Sequence, residues 1–200
     1  MKAEKTTPCF TPGTLIATER GQIPVEQITV GVKVVTRDNG LQPVRWIGRQ
    51  DFGLHDLRKM KELQPILIRA GAFGPGRPSR DMVVSPAHRM LVQPHHTFLD
   101  VPEEMLVAAR HVVDNRFVLP VAVLGVSYLH FLCSRHQVVL ANGTWTETFH
   151  PSDDVLRGMA SGQKSELLAL FPEIETMAAA KAYPPARKIL NASLSRVFRG

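Results

Sequence analysis

The feature that most constrains the fold is a series of short apolar or β-branched runs that fills the first 150 residues. Turn signals such as Pro12-Gly13, Arg20-Gly21 and the Gly- and Pro-rich segment 71–78 interrupt these runs. Short runs of this kind, bounded by Gly, Pro, Asn and Asp, are typical of strands. Because the runs do not alternate with longer, helical segments, the sequence predicts an antiparallel β domain rather than repeated βαβ units.

Local patterns predict where the strands lie and how two of them are joined. The Asn39-Gly40 pair is expected to form a two-residue type I′ turn, because both residues tolerate the positive φ that this turn requires. One short helix is predicted at 102–110, where Pro102 suits a first helical turn and the two glutamates after it complement the helix dipole. The predicted strands cover 15–18, 32–37, 44–48, 65–70, 82–85, 89–92, 118–126 and 138–141.

The last fifty residues have a different pattern. Residues 154–159 and 165–183 are helix-prone, and breaks are expected at Ser161-Gly162 and Phe171-Pro172. A last short helix is predicted at 186–199. The chain is therefore divided into a short N-terminal extension (1–8), a β domain (9–150) and a helical C-terminal extension (151–200) that either packs on the domain or serves as a connector.

Composition limits the partners and the location. The formal net charge of +6 permits an anionic partner, but no motif interleaves the aromatic residues with Arg or Lys, so nucleic-acid binding is not expected. No run of 18 apolar residues exists and the N-terminus has no apolar signal-peptide core, so neither a membrane span nor secretion by that route is expected. The default location is cytoplasmic, and export without such a signal stays open.

One of the two cysteines, Cys9, lies in an informative segment. Taken alone, a lone cysteine is more often a small buried apolar residue than a nucleophile. The segment Cys-Phe-Thr-Pro-Gly-Thr-Leu-Ile-Ala-Thr, however, resembles the opening block of the Hint domains, the fold shared by inteins and Hedgehog autoprocessing domains. The resemblance implies that the Cys9 thiol attacks the carbonyl carbon of Pro8 and converts an amide into a thioester.

A second block supplies groups that such a reaction needs. The thiol must lose a proton, the departing nitrogen must gain one, and the oxyanion must be stabilised. Ser85-Pro86-Ala87-His88 resembles the Thr-x-x-His block of Hint domains, with serine in place of threonine. The resemblance implies that His88 donates a proton to the scissile nitrogen and that Ser85 holds the scissile bond. For His88 taken alone, a surface histidine with satisfied hydrogen bonds is the more common interpretation.

The segment 126–143 resembles the late Hint block, in which a strand leads to His-x-φ-x-x-x-Asn-Gly, φ being an apolar residue. His130 is interpreted as a second proton-transfer or orienting residue. His136 is a further candidate, with a structural role at the turn as the alternative. A metal site formed by His88, His130 and His136 is not expected, because no Cys-x-x-Cys or His-Glu-x-x-His pattern accompanies them. No cofactor is expected either.

Together the blocks resemble the bacterial Hint domains of the Hint_2 type, which also occur alone. The resemblance is carried by RAGAFGPGRPSRDMVVSPAHRML at 69–91 and by the Tyr-x-His-x5-His pattern that begins at Tyr128, and it extends from about Cys9 to Phe149. It implies an all-β Hint fold, a pseudo-two-fold antiparallel β domain with a helical C-terminal tail.

The sequence departs from the better-known relatives at two places. Inteins end in His-Asn before Cys, Ser or Thr, whereas here His150 is followed by Pro151. Hedgehog domains use an aspartate to activate a sterol hydroxyl, and the matching position here is Gly48, with Asp51 three residues further on. Splicing, asparagine-driven cleavage and sterol transfer are therefore not expected, and water, a thiol or an amine is the expected second nucleophile.

Two hypotheses follow. The first is an autoprocessing domain that performs an N-to-S acyl shift at Cys9 and cleaves its own Pro8–Cys9 bond once, without splicing, so that its substrate is its own N-terminal segment. The second is a structural or binding module with the Hint fold that does not cleave. Pro8 and the short segment 1–8 favour the second hypothesis, and the complete set of Cys9, Ser85 and His88 favours the first.

Overall fold

The computed structural model describes residues 7–93, 104–176 and 179–190. The helices are α1 (Leu54–Lys59), α2 (Asp153–Gly158), α3 (Ser161–Leu170), α4 (Glu173–Thr176) and α5 (Ala179–Ala182). The strands are β1 (Leu15–Thr18), β2 (Gly21–Pro24), β3 (Lys33–Val35), β4 (Leu41–Pro43), β5 (Trp46–Gly53), β6 (Ile66–Ile68), β7 (Met82–Val84), β8 (Arg89–Val92), β9 (Met105–Ala108), β10 (Val118–Pro120), β11 (Gly125–Leu132), β12 (Val138–Ala141), β13 (Thr144–Glu147) and β14 (Lys188–Leu190).

The described strands form a mostly antiparallel β structure, as the sequence predicts. Nine of them make one sheet in the order β14-β9-β8-β13-β12-β1-β3-β4, with β2 paired to β1. A second sheet has the order β10-β6-β7, and the two eight-residue strands β5 and β11 pair along their whole length. Among the described pairs only β14 and β9 are parallel. No helix in the described segments is both long enough and apolar enough to cross a membrane.

Pro102 lies outside the residues that the structure describes. For the described part of the segment 102–110, the prediction of a helix is wrong. Residues Met105–Ala108 form β9, which is followed by a single 3₁₀ turn at Ala109–His111. All four residues of β9 are buried, and the strand lies between β8 and β14 in the sheet. A short run buried between two other strands has no polar face, so its periodicity cannot distinguish a strand from a buried helix.

The type I′ turn lies at a different Asn-Gly pair from the predicted one. Five residues connect β3 to β4, and of Asn39 and Gly40 only the glycine has a positive φ, +61°. The second pair, Asn142-Gly143, has φ values of +47° and +75° and joins β12 directly to β13. Both pairs carry the same local signal, and the two-residue turn forms where the flanking strands are in register up to the turn itself.

The C-terminal extension packs on the β domain. Helices α2 to α5 occupy its helix-prone part, but the predicted helix at 186–199 is wrong in its described part, where β14 adds a parallel strand to β9. The Arg187 guanidinium binds the carboxylates of Asp38 and Glu104 and so fastens the approach to β14. One buried apolar cluster joins the extension to the domain and contains Trp46, Leu132, Phe149, Val155, Leu156, Leu167, Phe171, Ile174 and Tyr183.

Candidate active site

Cys9 is held between two strands by the residue that follows it. The Phe10 N–H donates to the Leu129 carbonyl oxygen at 2.8 Å, and the Leu129 N–H donates back to Phe10 at 2.9 Å. Phe10 also forms a bridge to Val84, the last residue of β7. Cys9 therefore lies between the end of β7, which leads into Ser85, and the part of β11 that carries His130.

Ser85 binds the chain on both sides of the candidate scissile bond. Its hydroxyl donates to the Thr7 carbonyl oxygen at 2.7 Å, and its oxygen accepts the Cys9 N–H at 2.9 Å. The Ser85 N–H in turn donates to the Cys9 carbonyl oxygen at 3.0 Å. These three bonds restrict the backbone around Pro8.

His130 lies next to the thiol. Its Nδ1 is 3.2 Å from Cys9 Sγ, and its ring packs between Trp46 and Phe149, with centroid distances of 5.2 and 4.8 Å. On the facing strand Gly48 lies directly opposite His130. A Cβ at Gly48 would lie 2.2 Å from His130 Nε2, so the missing side chain at this position is what admits the imidazole.

The thiol and the imidazole are both neutral at rest. Burial raises the pKa of the Cys9 thiol well above its usual value, the Glu147 carboxylate raises it further, and the Ser85 hydroxyl only partly opposes them. Burial also lowers the pKa of His130 to about 4. The pair is therefore a hydrogen-bonded thiol and imidazole, and the thiol can lose its proton to His130 only as the sulfur attacks.

His88 is buried against Phe10, and its ring is hydrogen-bonded to Thr146, which no sequence motif indicates. The two rings have a centroid distance of 4.4 Å, and His88 Nε2 is 2.6 Å from Thr146 Oγ1. His88 Nδ1 is buried without a hydrogen-bond partner in the described chain. Burial lowers the pKa of His88 to about 4, with Glu147 raising it and Arg89 lowering it to smaller extents. The ring is therefore neutral at neutral pH.

His136 binds a different part of the protein. Its Nδ1 accepts the Ala186 N–H at 2.9 Å, so the ring proton is on Nε2, which is 3.3 Å from Glu147 Oε2 and 3.2 Å from the Thr148 carbonyl oxygen. None of these contacts involves Cys9. Hence His136 connects the C-terminal extension to β13. The three candidate histidines have three different partners, and no group of metal-binding side chains occurs within the described segments.

A buried ionic network lies beneath the site. The Glu147 carboxylate is fully buried and accepts the Arg89 backbone N–H and the Arg89 guanidinium, each at 2.9 Å. Burial raises the pKa of Glu147, but Arg89 and His136 together lower it to about 2, so the carboxylate is charged. Thr146 and Glu147 lie on β13, which the sequence does not predict as a strand, so neither is a candidate from the sequence. Had the strand been recognised, the alternation in Thr-Trp-Thr would have placed Thr144 and Thr146 on one face.

The folded protein is expected to lose stability as the pH falls from 6.5 towards 4. The pKa values of His88, His130 and His150 are each lowered to about 4, with burial as the largest cause, whereas in the unfolded chain these rings titrate near 6.5. Below 6.5 the unfolded state therefore binds protons that the folded state excludes, which costs about 1.4 kcal/mol per pH unit for each ring. Urea denaturation between pH 8 and pH 4 measures this slope. His55→Gln, at an exposed position, should leave it unchanged, and a flat profile would contradict the burial of neutral rings.

Comparison with known proteins identifies the family to which the chain belongs. The family profile described as a Hint domain matches residues 8–153. The chain belongs to this Hint domain family, which confirms the resemblance carried by the three sequence blocks. This membership supports a Hint-type autoprocessing or splicing domain in general. No curated protein matched the chain.

Solved structures similar to the chain include three intein-type domains. A bacterial intein-like domain from Clostridium thermocellum is 15% identical, with a TM-score of 0.46, and the match covers 72% of this chain and 99% of that one. The gp41-1 intein is 14% identical, with a TM-score of 0.45 and coverage of 70% and 98%. A DnaB intein from Synechocystis sp. PCC 6803 is 7% identical, with a TM-score of 0.44 and coverage of 70% and 98%.

Proposed function

We propose that this protein is a self-cleaving Hint domain in which Cys9 attacks the carbonyl carbon of Pro8. The observation that carries the proposal is the 3.2 Å contact between Cys9 Sγ and His130 Nδ1, directly beside a peptide bond that Ser85 holds on both sides. A nucleophile within hydrogen-bond reach of a base, with a third group fixing the geometry, is the arrangement that covalent catalysis requires.

The proposed first step exchanges an amide for a thioester. Cys9 Sγ forms a bond to the Pro8 carbonyl carbon while its proton passes to His130 Nδ1. The bond from that carbon to the Cys9 nitrogen then breaks, and the nitrogen takes up a proton to become a free amine. His88 is assigned the role of passing a proton from water to this nitrogen through Nδ1, since its ring packs on Phe10 and Nδ1 is buried without a partner in the described chain.

The proposed second step is attack on the thioester by water, a thiol or an amine. With water, Pro8 leaves as a carboxylic acid and Cys9 regains its thiol, so the protein acts on itself once. Both Cys9 and His130 are only 2% exposed, so the second nucleophile must reach a closed site. A reaction that occurs once per molecule tolerates a slow entry of this kind.

Splicing is not part of the proposal. The imidazole of His150 donates from Nε2 to the Tyr183 carbonyl oxygen at 2.9 Å, within the core shared with the C-terminal extension. Pro151 follows it, and no asparagine side chain is available there to cyclise. Cleavage is therefore assigned to the N-terminal side of Cys9 alone.

The test is intact mass spectrometry of the purified full chain, incubated overnight with and without dithiothreitol or hydroxylamine. The wild type is expected to lose residues 1–8, faster with either added nucleophile, and Cys9→Ala is expected to stay whole. Cys133→Ala is the matched control, because Cys133 is a second buried free thiol in the core and has no proposed role. It should cleave like the wild type. A wild type that stays whole under all conditions contradicts the proposal.

A non-cleaving module of the same fold is the second candidate, and one observation favours it. The Cys9 thiol is buried with a raised pKa, and an inert structural cysteine has the same properties. The two candidates differ in the reactivity that they predict for the Pro8–Cys9 bond. A thiol-sensitive loss of residues 1–8 that requires Cys9 excludes the inert module, and complete resistance to thiols supports it.

A further inference from the structure

Thr146 is bound to the ring of His88 by a hydrogen bond whose direction can be assigned. Thr146 is fully buried on β13, and its Oγ1 is 2.6 Å from His88 Nε2 and 2.7 Å from the Arg89 carbonyl oxygen. A hydroxyl has one proton to donate, and a carbonyl oxygen can only accept. The Thr146 hydroxyl therefore donates to the Arg89 carbonyl oxygen, because otherwise two acceptor oxygens would face each other at 2.7 Å.

The direction of that bond determines the tautomer of His88. Since the Thr146 hydroxyl donates to the Arg89 carbonyl oxygen, Thr146 Oγ1 can only accept from the imidazole. His88 must therefore have its proton on Nε2. Neutral imidazole has one N–H, so His88 Nδ1 has a free lone pair. This same Nδ1 is the buried ring nitrogen without a partner in the described chain.

We propose that Thr146 is a positioning residue that keeps His88 in the Nε2–H tautomer, so that Nδ1 is the atom that receives and then donates the proton for the departing nitrogen. The proposal rests on the proposed function. It assigns to Thr146 a role that acts through His88, because none of the described contacts of Thr146 involves Cys9 or Pro8.

The proton balance of the step is complete with water as the carrier. His130 takes the thiol proton and returns it to water, while His88 Nδ1 takes a proton from water and gives it to the amide nitrogen as the carbon–nitrogen bond breaks. During that transfer His88 is an imidazolium. Its Nε2–H still donates to Thr146 Oγ1, and the Thr146 hydroxyl still donates to the Arg89 carbonyl oxygen. The chain of hydrogen bonds therefore stabilises the charged ring, and an imidazolium is a far stronger acid than a neutral imidazole.

The first arm of the test measures the tautomer itself and does not need cleavage. In the intact Cys9→Ala chain, ¹⁵N spectra of the histidine rings, with His88 assigned by His88→Gln, are expected to show the Nε2–H form at neutral pH. Adding Thr146→Val, which keeps the shape and removes the hydroxyl, should convert His88 to a mixture of tautomers. Adding Thr146→Ser should restore the Nε2–H form. An unchanged Nε2–H tautomer in folded Thr146→Val overturns the proposal.

The second arm measures self-cleavage in chains that retain Cys9. Thr146→Val is expected to slow cleavage by about 10²-fold or more, the range for a misplaced general acid, and Thr146→Ser should recover most of the rate. Should Thr146→Val not fold, Thr146→Ala removes the same hydroxyl without adding a methyl group. A folded hydroxyl-free variant that cleaves at the wild-type rate overturns the proposal. A wild type that does not cleave contradicts the proposed function instead, and the ring spectra then decide the role of Thr146.

Discussion

Gly48→Ala is expected to slow self-cleavage by about 10²-fold or more in a chain that still folds, because general-base catalysis contributes rate factors of this size. The added Cβ would lie 2.2 Å from His130 Nε2 and 2.6 Å from the Trp46 ring. Contacts that short are not tolerated, so the imidazole must rotate away from its place between Trp46 and Phe149. Its Nδ1 then leaves the 3.2 Å contact with Cys9 Sγ, and the thiol loses its base.

Intact mass measured over time gives the cleavage rate for this test. Gly53→Ala is the matched control on the same strand, since a Cβ there would lie 3.9 Å from its nearest neighbour, Asp56 Oδ2. A double-mutant cycle with His130→Ala adds a readout in stability: Gly48→Ala should destabilise the chain less when the imidazole is already absent. Wild-type cleavage by a folded Gly48→Ala chain would show that His130 is not the base.

Arg89→Met is expected to destabilise the protein by about 3–5 kcal/mol, the usual cost of removing one partner from a buried ion pair. The guanidinium of Arg89 is 2.9 Å from the Glu147 carboxylate, which is fully buried. Without the guanidinium, the remaining described partners of the carboxylate are the backbone N–H of residue 89 and His136 Nε2. It must then either stay charged in an apolar interior or become protonated.

Urea denaturation at pH 7 measures the loss of unfolding free energy. Arg49→Met is the matched control, because the Arg49–Asp51 pair is more than half exposed on both sides and exposed pairs contribute at most about 1 kcal/mol. Adding Glu147→Gln to Arg89→Met should recover part of the loss, since the unpaired charge disappears. A cost of less than about 1 kcal/mol for Arg89→Met would contradict a charged, buried Glu147 at this place.

Much of the site could be predicted from the sequence because the informative signals are local. Strands β1, β8 and β12 have the bounds that their apolar runs predict. Ser85 follows β7 and His130 lies within β11, and the pairing of Phe10 with β11 and its bridge to Val84 bring Cys9 close to both. A short motif next to a strand thus carried both the identity of a side chain and its place at the site.

Other elements could not be predicted, because their conformation depends on distant partners. Residues Met105–Ala108 and Lys188–Leu190 are strands because each finds a neighbour in the large sheet, and neither has a strand signal that outweighs the helical signals near it. Burial between partners that are distant in sequence overrides local propensity in such cases. The same cause places the C-terminal extension in a shared core rather than leaving it as a separate connector.

By itself the sequence determined the Hint family, the mostly antiparallel β architecture and the residue types that the chemistry requires, because motifs and short apolar runs are readable without tertiary contacts. Only the tertiary structure decided which histidine lies beside the thiol, which one holds the C-terminal extension, and which nitrogen of His88 has the proton. These properties depend on the atoms that surround each ring, such as the Thr146 hydroxyl beside His88 and the Gly48 backbone, which has no Cβ, opposite His130. Those atoms come from strands that are far apart in the sequence and adjacent only in the fold.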